Sequence, residues 1–299
     1  MRKTLTLVVS LLFVPALFAQ MDPVPTRALQ MIQAANQQLA AAGSNYRIAY
    51  ADFFTSGRGT DSFRLKRTGA RWTFSNPTYM VDTKDLTKQL PAADVDAAIT
   101  RTYNTWASVA NTSIFPTRVP DLHEANPDVL DGTFDANGNC VSIFDFSSPR
   151  LDLSTGNIFP AANIVIGGWL PPNYFSSCLG SSDIIGVTWT FAGGDVNHDN
   201  FDDMQYVEQY YNDGFQWVLS GSPFLSAIMD VESILTHENG HALGLDHFGG
   251  PNVNQPFKLH PDGRVFDPEA IMNPYYLGGE KRNLFPSDES SLRSLYSRN

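Results

Sequence analysis

Apolar residues recur at steps of three and four in two stretches of the chain. Between Thr26 and Ala42 the stripe is Leu29, Ile32 and Leu39, and Gly43 supplies a stop, so a helix is predicted there. After Pro91, the residues Val95, Ala98, Ile99, Thr102, Trp106 and Val109 share one helical face, which predicts a second helix. Tyr46 to Phe54 reads as a strand, followed by a turn or short linker from Thr55 to Thr60. Asn163 to Ile166 and Gly186 to Phe191 are further strand signals, the second carrying β-branched residues and Trp189. Turn residues crowd the stretch from about 111 to 160, which reads as loop-rich. A last helix is expected to begin near Ser287 as N-cap. Asp288 and Glu289 suit the positive end of its dipole, and Leu292, Leu295 and Tyr296 form its buried stripe. Helices, short strands and long loops in this order predict an α+β fold, with no internal repeat or low-complexity tract.

Composition narrows the functional classes. With 299 residues, 42% hydrophobic and 17% charged, the chain can bury a sizeable core. Twenty basic against 31 acidic residues leave a net charge of −11, which would repel a polyphosphate, so no nucleic-acid partner is expected. Arg2 and Lys3 precede an apolar run from Leu5 to Val14 and then Ala16-Leu17-Phe18-Ala19, the pattern of a secretory signal over residues 1–19. The run is too short to span a bilayer, no later segment reaches about 18 apolar residues, and no Cys stands near the cleavage point. The expectation is a secreted protein, extracellular or periplasmic, without a membrane anchor. Residues 20–64 then form a helix–strand appendage or a pro-segment. The only cysteines are Cys140 and Cys178. In an exported chain they favour a disulfide, worth about 4 kcal/mol by chain entropy. The competing role is a thiolate metal ligand, although neither lies in a CxxC or Cys/His cluster.

The segment richest in chemistry is His237-Glu238-Asn239-Gly240-His241-Ala242-Leu243-Gly244-Leu245-Asp246-His247. On a helix, His237 and His241 project from one face a turn apart, so both imidazoles can reach one zinc ion. Gly244 can take positive φ and end the helix, letting His247 approach from another side. Three neutral imidazoles leave a fourth position for water, the hallmark of a catalytic zinc. Glu238 stands where its carboxylate reaches that water without ligating the metal, and can take its proton as it attacks a carbonyl. At this composition a chance HExxH arises in roughly three chains per thousand, and adding the Gly and third His lowers that to roughly a few per million.

The pattern resembles the metzincin metallopeptidases, HExxHxxGxxH followed by a Met-turn, for which Ala270-Ile271-Met272-Asn273-Pro274-Tyr275-Tyr276 is the candidate. The resemblance implies that Met272 forms a hydrophobic base beneath the zinc ligands. Within the metzincins the chain is more similar to the matrixins, because Pro274 and Tyr276 match the wall of their S1′ pocket. Asp94 to Val109 looks like the first matrixin helix, Tyr211 to Trp217 like the strand and Trp before the active-site helix, and Asp288 to Tyr296 like the closing helix. The implied catalytic domain covers residues 65–299. Its fold would be a twisted mixed sheet with an active-site helix and a smaller C-terminal subdomain, and its activity that of a zinc endopeptidase cutting an extended protein or peptide. The likeness has departures: Asn239 stands at a usually aliphatic position, Phe248 follows the third His, and no cysteine-switch motif precedes the domain.

A second metal signal is Asp195, Asn197, Asp199 and Asp203, oxygen ligands at alternate positions that suit Ca²⁺ or else form a solvated acidic loop. Tyr206 stands where an EF-hand has its bidentate Glu, so this is no EF-hand. His123, His198 and His260 carry little ligand signal. Two other readings compete with the peptidase: an inactive zinc-bearing extracellular binding module, and a protein kept latent by its own residues 20–64.

Overall fold

The computed structural model describes residues 24–56, 63–64, 69–224, 227–247 and 270–297. The expected leader at 1–19, Phe248 and His260 lie outside them. Helix α1 (Thr26–Ala41) buries Ala28, Met31, Ile32, Ala35 and Leu39 at helical spacing, and Gly43 beyond it has φ +80°. Helix α2 (Ala92–Ala107) starts directly after Pro91 and buries Val95, Ala98, Ile99, Thr102, Tyr103 and Trp106. Both stripes follow the apolar period of the sequence.

The strands that build the main sheet are β1 (Ile48–Ser56), β2 (Ala70–Arg71), β3 (Thr78–Val81) and β4 (Thr117–Arg118). They are followed by β5 (Ile164–Leu170), β6 (Ile184–Ala192) and β7 (Asp202–Asn212). Two short strands, β8 (Gln216–Val218) and β9 (Ile228–Asp230), pair with each other, and β10 (Tyr275–Tyr276) returns to the main sheet. Helix α3 (Val231–Ala242) carries the histidines and α4 (Pro286–Tyr296) closes the chain. The twisted main sheet runs β10-β1-β6-β7-β5-β3-β4, with β2 pairing β7 and Phe63–Arg64 pairing β1. It is mixed: β6 is antiparallel to both β1 and β7, whereas β7, β5, β3 and β4 run parallel. The molecule is therefore α+β.

Alternating side chains divide the core between two sheet faces. On β5, Ile164 and Ile166 join the core under α2, α3 and α4, while Val165 joins the core under α1. On β6, Val187, Trp189 and Phe191 pack with α1, which leaves Gly186, Thr188 and Thr190 for the face that meets α3. Beneath α1 lies the bond between Cys140 and Cys178, whose Cα atoms are 5.1 Å apart, so the cysteines are not metal ligands. Arg27 ties α1 to the same region through the carbonyls of Cys140 and Ser177.

The structure departs from the sequence pattern in three places. Helix α4 begins at Pro286 rather than after a Ser287 cap, because Asp288 reaches back to accept the Phe285 N–H at 2.8 Å. Strand β7 extends through polar positions that carry no apolar alternation. Tyr174–Leu179 forms a π-helix, absent from the sequence expectation. No helix among the described residues is long and apolar enough to cross a membrane.

Candidate metal centre

Helix α3 is buried along nearly all its length, so it cannot rely on an amphipathic stripe alone. Asp230 caps it by accepting the Ser233 N–H at 2.9 Å, and is itself held by Arg282 through both carboxylate oxygens. The helix stops at Leu243, and Gly244 follows at φ +85°. A side chain at 244 would also meet the Ala70 carbonyl at 2.3 Å, so glycine is required for both backbone conformation and close approach to β2. The turn brings His247 back to the helix. Nε2 of His237 lies 3.0 Å from that of His241 and 3.1 Å from that of His247, and His241 is 3.1 Å from His247.

The tautomers decide what this triangle is. Nδ1 of His237 lies 2.7 Å from the Ile271 carbonyl and Nδ1 of His241 lies 2.9 Å from the Leu245 carbonyl. A carbonyl only accepts, so both rings donate from Nδ1. Burial pushes the His237 pKa well below the ordinary histidine value, which keeps that ring neutral. Its Nε2 and that of His241 are then lone pairs 3.0 Å apart, an arrangement that a shared cation would stabilise. Tetrahedral ligands at about 2.05 Å from zinc stand about 3.3 Å apart, close to the observed spacing. Carbonyl partners on the far ring nitrogens are the usual orienting contacts of metal-bound histidines. Among the described residues this is the only group of three or more His, Cys, Asp or Glu whose ligand atoms lie within 4.8 Å of one another.

Glu238 turns from the triad's helix toward the sheet. It is fully buried; one carboxylate oxygen accepts from the Thr188 hydroxyl, which in turn accepts from Gln209 at 3.2 Å. The other, Oε1, has no hydrogen-bond partner among the described residues. Gly186 makes room for it, since a Cβ there would stand 2.7 Å from Oε1. Burial pushes the carboxyl pKa well above the ordinary range, the Thr188 bond lowers it, and Asp52 raises it further. An adjacent cation would oppose that burial effect by favouring the carboxylate.

Below the helix, Met272 is wholly buried. A Cβ on Gly240 would come within 2.3 Å of its sulfur, so glycine in the His-Glu-Asn-Gly-His segment lets this turn press against the helix. Asp288 fixes the turn by accepting the N–H groups of Ile271 at 2.9 Å and Met272 at 3.1 Å. Pro274 is buried. The Tyr276 hydroxyl contacts Ser222 at 3.2 Å, receives the Asp230 N–H at 3.3 Å and donates to the Gly279 carbonyl.

The acidic loop is arranged differently. Asp195 accepts the N–H groups of Asp199 and Asn200, and Asn197 accepts that of Asp199. Asp199 accepts from the Phe201 N–H and from Arg71, and Asp203 from the Val196 N–H. These oxygens shape a turn in which His198 and Asn200 take positive φ, and the carboxylates of Asp195, Asp199 and Asp203 do not gather into a three-ligand cluster.

Thr188, Gln209, Gly240, Asp288 and the β1 residues Asp52 and Phe54 belong to the site but were not legible as site residues. Two threonines, Thr188 and Thr190, on one face of the otherwise apolar β6 were the one available signal. No protein-family model matches this chain, and no curated protein matches it.

Proposed function

We propose that the chain is an exported zinc endopeptidase of metzincin type, with His237, His241 and His247 as ligands and Glu238 as general base. The carrying observation is the triangle of Nε2 atoms beside a buried carboxylate that has one oxygen anchored and one without a partner among the described residues. Zinc bound by the three imidazoles supplies a Lewis acid that polarises a peptide carbonyl and acidifies water. Glu238 accepts the proton of the attacking water at Oε1 while Thr188 holds the other oxygen in place. It then hands that proton to the departing amine. Ile271 and Leu245 keep two imidazoles in the ligating tautomer throughout. Met272 and Asp288 hold the floor beneath them. The disulfide supports export, because such bonds persist in oxidising compartments.

A second reading, a structural zinc in an inactive binding module, is favoured by burial: His237, His241 and His247 are each 1% exposed. A closed structural site has no use for a buried carboxylate oxygen without a partner, so the peptidase is preferred. Its test is hydrolysis of an unfolded protein by the full chain with one equivalent of zinc, alongside Glu238→Gln. The variant should keep its zinc and lose about 100-fold or more in rate. Equal rates would end the assignment of Glu238.

A further inference from the structure

A hydrolytic site must admit a peptide, yet the three histidines and Glu238 are at most 1% exposed. Strand β1 lies against them. The ring of Phe54 stacks on the His237 imidazole, with centroids 3.7 Å apart and planes 7° apart, and its edge meets the Tyr276 ring at 6.1 Å. Asp52 Oδ2 stands 3.8 Å from His241 Nδ1.

The pairing of β1 is as informative as its position. It runs antiparallel to β6, from Ile48 opposite Phe191 to Thr55 opposite Ile184. On its other side it runs parallel to β10, with Thr55 opposite Tyr275 and Ser56 opposite Tyr276. Among the described residues, strand β10 joins the sheet only through β1. Without β1, the edge of β6 would present a row of unpaired N–H and C=O groups, facing β10 across a slot one strand wide beside His237. Such a slot takes an extended peptide by strand addition.

We infer that β1 occupies the strand position that a substrate peptide takes. The inference rests on the peptidase reading and adds how the site is controlled. The masking is done by backbone pairing and by Phe54, not by a ligand donated to the metal: no carboxylate joins the three histidines in one ligand cluster among the described residues. The strand is held in place from behind. Asn36 of α1 both donates to and accepts from the Ile48 backbone, and the apolar stripe of α1 is buried against the same core as Ile48, Ala51 and Phe53. The end of β1 that carries Phe54 and Thr55 is the part that must leave for a peptide to enter.

The test uses the full chain and two variants, Phe54→Ala and Thr55→Pro. The first removes the ring over His237 and keeps every backbone hydrogen bond; the second removes a backbone donor. Three readouts are taken: amide exchange of residues 48–56, binding of a labelled nine-residue peptide with the sequence Ile48–Ser56 to metal-free protein, and hydrolysis of an unfolded protein with zinc. Exchange in β1 should rise about tenfold while β5 and β7 stay unchanged. The variants should bind the peptide where the parent does not, and should hydrolyse about tenfold faster than the parent. A loosened β1 with no peptide bound would overturn the inference. So would a parent as active as the variants, or exchange in β5 and β7 rising with that in β1 for both variants. Peptide capture by the variants, with no hydrolysis by any zinc-loaded form, would uphold the role of β1 and remove the peptidase reading.

Discussion

Replacing Gly240 by Ala sets two effects of known sign against each other. Alanine favours a helix interior over glycine by about 1 kcal/mol, so at an open position the change stabilises. Here the new Cβ would stand 2.3 Å from the Met272 sulfur, 2.9 Å from Cζ2 of Trp106 and 3.1 Å from the Met272 methyl. Trp106 is fully buried, with its Nε1 donating to the Thr236 carbonyl at 2.7 Å, and the Met272 backbone is held by Asp288 at 3.1 Å. Overpacking of this kind costs about 1–3 kcal/mol, so after the helix gain Gly240→Ala should lose up to about 2 kcal/mol. For a chain of this size that is up to about 3 °C in Tm. Urea unfolding of metal-free protein gives the cleanest measure, with an unchanged slope showing that only stability has moved. Adding Met272→Ala should shrink the cost of the glycine substitution, since the nearest clash is gone. A midpoint that rises on Gly240→Ala would mean that the turn does not press on α3 as described.

Three further outcomes follow from contacts around this frame. Asp288→Ala leaves the buried N–H groups of Ile271 and Met272, and the part-buried one of Phe285, without that acceptor. It should cost about 3 kcal/mol in urea unfolding and weaken zinc binding in a chelator competition. Removing the disulfide with Cys140→Ser and Cys178→Ser frees a loop with a sequence separation of 38. The loss should be about 4 kcal/mol by chain entropy, with zinc stoichiometry unchanged because the bond lies on the opposite sheet face. Asp131 has its pKa raised to about 8, chiefly by burial and then by Asp145 and Glu208. The native state therefore keeps a proton that the unfolded chain releases near pH 4, and the Asp131 contribution falls as pH rises from about 4 to about 8. The urea midpoint of metal-free Asp131→Asn should gain on the parent between pH 5 and pH 8; a gap that moves the other way would refute the raised pKa.

Local signals in the sequence carried a good part of the fold. The stripes of α1 and α2 are visible because each helix buries one face, and Gly43 and Pro91 mark its limits. Strand β7 was hidden, because its interior positions include Glu208, Gln209 and Asn212, all buried in the folded chain. Glu208 is tolerated because the distant N–H groups of Val129 and Leu130 join the hydroxyls of its strand neighbours Tyr206 and Tyr210 around it. No window of sequence contains that arrangement. At the site, the histidine spacing and the helix stop at Gly244 could be read directly, since one helical turn and one left-handed residue determine them. The partners that set tautomer and charge could not. The Ile271 carbonyl, Thr188 and Phe54 come from three separate segments, and only the sheet order brings β1 beside α3.

The central claim is one tight metal site made by three imidazoles, with Glu238 beside it and not part of it. It is tested most directly by titrating metal-free chain with zinc against a chelator of known affinity, for the parent, His247→Ala and Glu238→Gln. The parent should bind one zinc, His247→Ala should lose at least about 100-fold in affinity, and Glu238→Gln should change little. Zinc binding that survives His247→Ala, or that disappears with Glu238→Gln, would contradict it.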